Sequence, residues 1–258
     1  MTNFEQESHN SQKIVDKENV QKVKHWEIGE LFEPTQRILE QMREQIDRGE
    51  YGLIIGDDAS GRVPAWIFYN FLKEIYKKKG LPPPVVRYFA GSRHLSEEEI
   101  ELKSGEIAPY LKKSLQETRN KRVGEKVLVV SDTISSGVSL TPLAQALKEQ
   151  GASFDIATTI IYTGESKEDK KVKNREDLQV KDLEDRLGGK IFYGDYGSEP
   201  QIYGANWFAG VEKSPEAVFS VPYTTGNDEA QEKLNEARVD ASLVAQKLVE
   251  WYETGTKE

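Results

Sequence analysis

Residues 131–139 read SDTISSGVS, a run of small hydroxyl side chains that contains one carboxylate and one glycine. An apolar, β-branched stretch precedes the run, and a helix-forming stretch follows it. This arrangement suits an anion, because loop amides and a helix N-terminus carry partial positive charge. Hydroxyl groups add hydrogen-bond donors, and glycine permits a close approach of the backbone. The segment therefore predicts a phosphate-binding loop.

The carboxylate in this run, Asp132, would repel a phosphate and should face a different group. A sugar diol is the natural candidate, since a carboxylate accepts two hydroxyl protons. Asp132 also follows the strand at its carboxyl end, where open α/β sheets bind ligands. The predicted ligand is accordingly a phosphorylated sugar. Its phosphate would contact Thr133, Ser135, Ser136, Gly137, Val138 and Ser139.

The stretch VLVVSDTISSGVSL resembles the signature of the type I phosphoribosyltransferases. That signature is an apolar strand, two acidic residues, two variable residues and a loop with hydroxyl residues around a glycine. The resemblance places Ser135–Ser139 on the loop that holds the 5′-phosphate of phosphoribosyl pyrophosphate. It places Ser131 and Asp132 on the acidic pair that binds the ribose hydroxyls, with Asp132 as the catalytic candidate. Serine at the first acidic position departs from the family and brings no charge.

A second loop, GDDASGR at residues 56–62, also joins a predicted strand to a predicted helix. In the family that the chain resembles, the loop at this place binds the pyrophosphate through amides at a helix start. The resemblance thus implies pyrophosphate contacts from Asp57, Asp58, Ser60, Gly61 and Arg62. Two aspartates would repel a bare pyrophosphate, so a bridging Mg²⁺ is expected. Alternatively, one aspartate only caps the helix and Arg62 forms a structural salt bridge.

The elements that must position these loops alternate along residues 51–162. Strands are predicted at 51–55, 85–90, 126–131 and 154–162, and helices follow the first and third of them. This pattern predicts an α/β fold with a parallel sheet flanked by helices. The resemblance covers about the same residues and implies a type I phosphoribosyltransferase-like core with a C-terminal cap or hood. Residues 91–125 stand where that family has a loop that closes over the substrate.

The remaining chain divides into three predicted parts. Residues 1–22 predict a flexible tail, and residues 23–162 the core, which begins with a helix at 35–48. Residues 163–258 predict a charged, solvated insertion to 189, a strand at 190–193, a cap to 226 and a terminal amphipathic helix over 228–253. Aromatic residues of the cap either pack internally or stack on a base; these are Tyr193, Tyr196, Tyr203, Trp207 and Phe208.

Composition excludes several function classes. The 258 residues carry a formal net charge of −9, which disfavours nucleic acid as a partner. Cysteine is absent, so disulfides, thiolate catalysis and cysteine-based zinc sites are excluded. No apolar run approaches the roughly 18 residues that a membrane span requires, and the N-terminus lacks signal-peptide features. We expect a cytoplasmic protein with no membrane partner, and a homodimer is compatible with the sequence.

Two functions fit these observations. The first is Mg²⁺-dependent transfer of ribose 5-phosphate between phosphoribosyl pyrophosphate and a nucleobase or another nitrogen nucleophile, in nucleotide metabolism. The alternative is a non-catalytic, regulatory module of the same fold that binds a phosphorylated ribose or a nucleotide. A different doubly wound nucleotide-binding protein is disfavoured, because the chain has no G-x-G-x-x-G and no P-loop lysine.

Overall fold

The computed structural model describes residues 23–57, 59–90, 96–121, 124–162, 175–197, 211–212, 218–219, 221–222 and 227–255. The predicted tail over residues 1–22 lies outside these ranges, as does most of the predicted cap. Within them, every helix is too short or too polar to span a lipid bilayer.

The centre of the fold is a five-stranded sheet in which all neighbouring strands run parallel, in the order β2-β1-β3-β4-β5. The prediction of an α/β fold with a parallel sheet is confirmed. Two short antiparallel strands, β6 and β7, form a separate pair. The strands are β1 (Tyr51–Asp57), β2 (Val85–Phe89), β3 (Lys126–Ile134), β4 (Phe154–Ile161), β5 (Lys190–Tyr196), β6 (Val211–Glu212) and β7 (Val221–Pro222).

Helices cover both faces of the sheet and enclose two apolar clusters. Helices α1 to α4 and α8 contribute to the cluster on one face, and α5, α6 and α7 contribute to the cluster on the other. The helices are α1 (Trp26–Gly29), α2 (Phe32–Gln41), α3 (Arg43–Asp47), α4 (Arg62–Lys78), α5 (Glu97–Lys121), α6 (Thr141–Glu149), α7 (Arg175–Leu187) and α8 (Asn227–Thr254).

Helix α4, which follows the β1 loop, forms where its sequence predicts it. Val63, Ile67, Phe71 and Ile75 recur at helical spacing and are all buried. Pro64 lies in the first turn, where a missing N–H costs no hydrogen bond. The helix therefore starts at a fixed place at the end of β1, which fixes the position of the loop between them.

Residues 175–187 form α7, and this contradicts the predicted solvated insertion for that part of the chain. Val180, Leu183 and Leu187 are buried against the sheet. Their spacing of three and four residues is helical, but the charged residues around them obscured the pattern. The predicted strand at 190–193 is confirmed as β5, so the sheet continues beyond residue 162. Residues 163–174 lie outside the described ranges.

The predicted helix at 35–48 is instead two helices, α2 and α3, separated at Met42, whose φ and ψ of −97° and 3° are not helical. Met42 is fully buried, so packing sets the break. The predicted terminal helix is confirmed as α8, and the side chains of Ala237, Ala241, Val244 and Leu248 form its buried face.

Candidate functional site

The two predicted loops leave neighbouring strands at the same edge of the sheet. Strands β1 and β3 pair in parallel, with Gly56 opposite Val130. The chain order of the strands reverses between them, since β2 lies outside β1 and β4 lies outside β3. Doubly wound sheets bind ligands in the crevice at the carboxyl ends of such a pair. The fold therefore brings residues 57, 59–62 and 131–139 to one candidate site.

The backbone of the β1 loop is in close contact with the backbone of β3 at Gly61. A Cβ atom on Gly61 would stand 2.5 Å from the Asp57 carbonyl oxygen and 2.6 Å from the Val130 carbonyl oxygen. Real Cβ atoms do not approach backbone so closely, so only glycine fits here. The start of α4 is thereby set directly against β3 at Val130.

Strand β3 is longer than the sequence predicts. Pairing with β4 continues through Ser131 opposite Thr158, Thr133 opposite Ile160 and Ile134 opposite Ile161. The predicted strand end at Ser131 is therefore wrong, because β4 continues alongside and supplies partners that β1 no longer offers. The loop proper is Ser135–Gly137, followed by a 3-10 turn at Val138–Leu140 and then α6.

The β3 loop turns through Gly137, whose φ of +71° lies in the left-handed region that favours glycine. The Gly137 carbonyl accepts hydrogen bonds from the Leu140 amide at 3.0 Å and the Thr141 hydroxyl at 3.3 Å. Among the described residues, the amides of residues 136–139 donate no hydrogen bond to a backbone carbonyl in the turns and loops. Ser135 and Ser136 are exposed, and Ser139 is half-buried. The loop thus presents several amide and hydroxyl donors together, as an anion requires.

Helix α7 packs against the β3 loop at Gly137. A Cβ atom on Gly137 would stand 3.1 Å from Leu183, 3.4 Å from Leu187 and 3.5 Å from Nη2 of Arg186. Arg186 brings a positive charge beside a loop that contains none of its own. Sequence reasoning missed this residue because it assigned α7 to a solvated insertion.

The predicted ribose-binding pair lies in the strand and is buried. Asp132 is 3% exposed, and its Oδ1 accepts the Thr133 amide at 2.7 Å. Ser131 is 1% exposed, and its hydroxyl donates to the Thr133 carbonyl at 3.2 Å. The Thr133 hydroxyl oxygen is itself buried and has no hydrogen-bond partner among the described residues. A sugar therefore contacts the Asp132 carboxylate only if the residues that cover it move aside.

The β1 loop is a tight turn with internal hydrogen bonds. The Gly61 amide donates to the Asp57 carbonyl at 2.8 Å, and the Arg62 amide donates to the Ala59 carbonyl at 3.2 Å. Ala59 holds a φ of +67°, which costs about 1 kcal/mol or more for a residue other than glycine. Ser60 is half-buried, whereas Asp58 lies outside the described residues. Two of the predicted pyrophosphate-binding amides thus stabilise the turn.

The side chain of Arg62 is the cationic group of this loop. Its guanidinium carbon lies 4.6 Å from the centroid of the Tyr88 ring, a cation–π distance. Tyr88 belongs to β2, which pairs with β1 on the side away from β3. Three adjacent strands therefore contribute to this edge of the sheet.

The expected Mg²⁺ ion can be tested against the carboxylates of this edge. No group of three or more histidine, aspartate and glutamate side chains that could hold a metal occurs in the described part of the chain. Asp57 is the last residue of β1, and Asp132 lies two residues before the end of the neighbouring β3. Mg²⁺ often binds through one or two carboxylates together with substrate phosphates. The residues fit an ion that arrives with the pyrophosphate, and they do not form a dedicated metal cage.

Two of the aromatic residues considered for base stacking instead join β5 to α7. The Tyr193 hydroxyl donates to Glu176 at 2.9 Å, and the Tyr196 hydroxyl donates to Gln179 at 2.7 Å. Burial, followed by the hydrogen bond to Glu176, raises the pKa of Tyr193 to about 12. Both rings pack on the cluster beneath α7. The other three aromatic residues, Tyr203, Trp207 and Phe208, lie outside the described residues.

Most of the segment predicted to close over the substrate is the long helix α5, packed against α6 and the sheet. Its Lys103 side chain is only 6% exposed, with Glu106 3.8 Å away. Burial lowers the pKa of Lys103, and the Glu106 carboxylate opposes that effect. Residues 91–95, which precede the helix, are outside the described ranges.

No protein-family model matches the chain, and comparison with curated proteins gives no match. Its function is therefore inferred from the geometry of the two loops and from their resemblance to a known signature.

Proposed function

We propose that the chain is a phosphoribosyltransferase that binds phosphoribosyl pyrophosphate at the β1–β3 edge and transfers ribose 5-phosphate to a nitrogen nucleophile. The proposal depends on one observation. The β3 loop, with its available amides around Gly137, lies beside the β1 loop, which carries Arg62, at the place where the chain order of the strands reverses. Either loop alone would suit any phosphate. Together they suit a ligand that has phosphate groups at both ends of a sugar.

Each part of the edge has a role in this proposal. Amides of residues 136–139 and hydroxyls of Ser135, Ser136 and Ser139 would bind the 5′-phosphate, and Arg186 would add positive potential nearby. Asp132 would accept the ribose hydroxyls and lie near the positive charge that develops on the sugar ring. Arg62 would bind the pyrophosphate. Most of the rate enhancement would come from positioning and from charge stabilisation of the leaving group.

The reaction conserves atoms and electrons with these groups. The bond between ribose C1 and a pyrophosphate oxygen breaks, and its electron pair leaves with the pyrophosphate. The lone pair of the nitrogen nucleophile forms the new bond to C1, and the nitrogen then loses its proton to solvent. Mg²⁺, when bound to the pyrophosphate, would offset charge on the leaving group.

The second candidate function is binding without transfer, and the strand residues favour it. Ser131 stands where the family that the chain resembles has its first carboxylate, and its hydroxyl already donates to a backbone carbonyl. Asp132, the remaining carboxylate, is almost fully buried. A site with one covered carboxylate holds a ribose less firmly in the transition state. Such a site can still recognise a phosphorylated ribose and report its presence.

Calorimetric titration with ribose 5-phosphate, and with phosphoribosyl pyrophosphate plus Mg²⁺, tests the proposal. Pyrophosphate release is then measured with a panel of bases. We expect both ligands to bind, and the Asp132→Asn variant to bind each of them about tenfold more weakly, as for the loss of a charged hydrogen-bond acceptor. The matched control is Asp182→Asn, an exposed position on α7.

The outcomes separate the two functions. Binding with base-dependent pyrophosphate release supports the transferase, and tight binding without release supports the regulatory module. Failure of both ligands to bind at millimolar concentration would reject a phosphoribosyl site at this edge.

A further inference from the structure

The ring of Tyr88 lies in a space that a missing side chain leaves open. Gly56 of β1 pairs with Tyr88 of β2. A Cβ atom on Gly56 would stand 2.8 Å from Cδ1 of Tyr88 and 3.0 Å from the Cβ of Ala65 on α4. Any other residue at position 56 would displace the ring. Tyr88 is therefore held between the strand and the first turns of α4.

A short row of cations and aromatic rings continues from this ring. The guanidinium carbon of Arg62 lies over the Tyr88 ring, 4.6 Å from its centroid. Trp66, one helical turn after Arg62, meets Tyr88 edge-on, with ring centroids 6.4 Å apart and planes at 80°. The guanidinium carbon of Arg238 on α8 lies 5.2 Å from the Trp66 ring. Contacts on both sides thus restrict the orientation of Tyr88.

The chemistry of the β1 loop makes the orientation of Arg62 important. Arg62 is the only cationic residue in GDDASGR, and the Gly61 and Arg62 amides are engaged in the turn. The N–H groups of a guanidinium lie in its own plane. When one face of the guanidinium stacks on a ring, these groups still point outward and can form paired hydrogen bonds to a phosphate. A freely rotating arginine would lose more conformational entropy on binding the same group.

We propose that Tyr88 is a positioning residue, which holds the Arg62 guanidinium in place for the pyrophosphate group of the ligand. The proposal rests on the proposed function, since it assigns the β1 loop to pyrophosphate. It also predicts a selectivity. Tyr88 affects ligands that carry a pyrophosphate on C1, and it leaves ribose 5-phosphate, which would contact β3 and its loop but not the β1 loop, unaffected.

Calorimetry on the full chain tests this selectivity with two ligands, ribose 5-phosphate and phosphoribosyl pyrophosphate with Mg²⁺. Loss of the ring in Tyr88→Leu should weaken phosphoribosyl pyrophosphate binding about five- to tenfold, within the range of a partly desolvated cation–π contact. Binding of ribose 5-phosphate should change by less than about twofold. Tyr88→Phe keeps the ring and should bind both ligands like the wild type.

A second variant covers the case in which Tyr88→Leu does not fold. Arg62→Lys keeps the charge and loses the planar stack, so it should show the same selective loss. The matched control is Trp251→Leu, which removes a ring from the Arg43 stack at the far end of α8. That variant should leave the ratio of the two affinities unchanged.

Equal weakening of both ligands by Tyr88→Leu would overturn the inference, as would a Tyr88→Phe variant as weak as Tyr88→Leu. Wild-type protein that binds phosphoribosyl pyrophosphate no more tightly than ribose 5-phosphate would also overturn it, while the 5′-phosphate loop would stand. If neither ligand binds the wild type, the proposed function fails, and this inference fails with it.

Discussion

Glycines at three positions determine the local geometry of the candidate site. Gly61 allows backbone contact between the β1 loop and β3, Gly56 leaves room for the Tyr88 ring, and Gly137 turns the β3 loop through a positive φ. Each of the three positions has a different conformational or steric requirement, and a side chain at any of them would violate that requirement. The site is accordingly sensitive to the addition of a single methyl group.

Gly137→Ala should destabilise the fold and weaken phosphate binding. A left-handed φ costs an L-residue about 1–2 kcal/mol, and the new methyl group would press on Leu183 at 3.1 Å. The displaced loop would carry its amides out of position, so affinity for ribose 5-phosphate should fall by about tenfold, or 1.4 kcal/mol. Denaturant unfolding and calorimetry measure the two effects.

Gly80 provides a matched control, because its φ is +70° and no atom lies within 4 Å of the position of its Cβ. Gly80→Ala should show a similar loss of stability with no change in ligand affinity. An unchanged affinity in Gly137→Ala would mean that the loop does not bind the phosphate.

At the residue scale, the sequence predicted the donors of the β3 loop and Arg62, but not Arg186 or the ring of Tyr88 beside the site. Ser135, Ser136 and Gly137 are adjacent in sequence, so their chemistry is visible as a pattern. Tyr88 and Arg186 contact residues 26 and 49 positions away, Arg62 and Gly137 respectively. Such contacts depend on strand order and helix packing, which no local pattern records.

At the scale of elements, hydrophobic periodicity predicted the helices with long apolar stripes, such as α4 and α8. It failed for α7, where three buried residues are scattered among charged ones. It also ended β3 too early, because the extra residues are Asp, Thr and Ile, and only the pairing with β4 makes them a strand. Tertiary contacts decide these cases.

The four-residue helix α1 depends on such a contact. The Asp240 carboxylate of α8 accepts the backbone amides of Lys24 at 3.0 Å and His25 at 2.8 Å, and it lies 2.7 Å from Nδ1 of His25. Asp240 is 2% exposed. A helix of four residues is not stable by itself in water, so this buried cap holds it to the body.

Asp240→Ala should lower the free energy of unfolding by about 2–3 kcal/mol, because two partly buried amides lose their carboxylate acceptor. Amide hydrogen exchange at Lys24 and His25 should accelerate far more than exchange in the sheet. Glu236→Gln is the control, since Glu236 pairs with the largely exposed Lys24 side chain, and it should change stability by less than about 1 kcal/mol. Equal effects from the two variants would show that the cap does not hold α1.

At the scale of the whole molecule, the two edges of the sheet are built differently. The carboxyl edge carries the glycine-dependent loops. The amino edge is closed by a polar network, in which the Tyr51 hydroxyl donates to Asp155 at 2.7 Å and Lys126 Nζ also lies 2.7 Å from Asp155. Burial, and then the Asp155 carboxylate, raise the pKa of Tyr51, so the phenol stays protonated and donates. Tyr76 accepts the Tyr51 amide at 3.1 Å.

This difference predicts that stability and binding can be separated. Asp155→Ala removes a 2% exposed acceptor and leaves Lys126 and Tyr51 without their shared partner, so the free energy of unfolding should fall by about 2–4 kcal/mol. Affinity for ribose 5-phosphate should stay within about twofold of the wild type at temperatures where the variant is folded, since the loops lie at the opposite edge.

The control is Glu50→Gln. The Glu50 carboxylate is 3.9 Å from Lys126 and more exposed than Asp155, so this variant should change stability by less than about 1 kcal/mol. A parallel loss of affinity in Asp155→Ala would mean that the strands transmit the disturbance along their length, and the carboxyl edge would then not act as an independent binding unit.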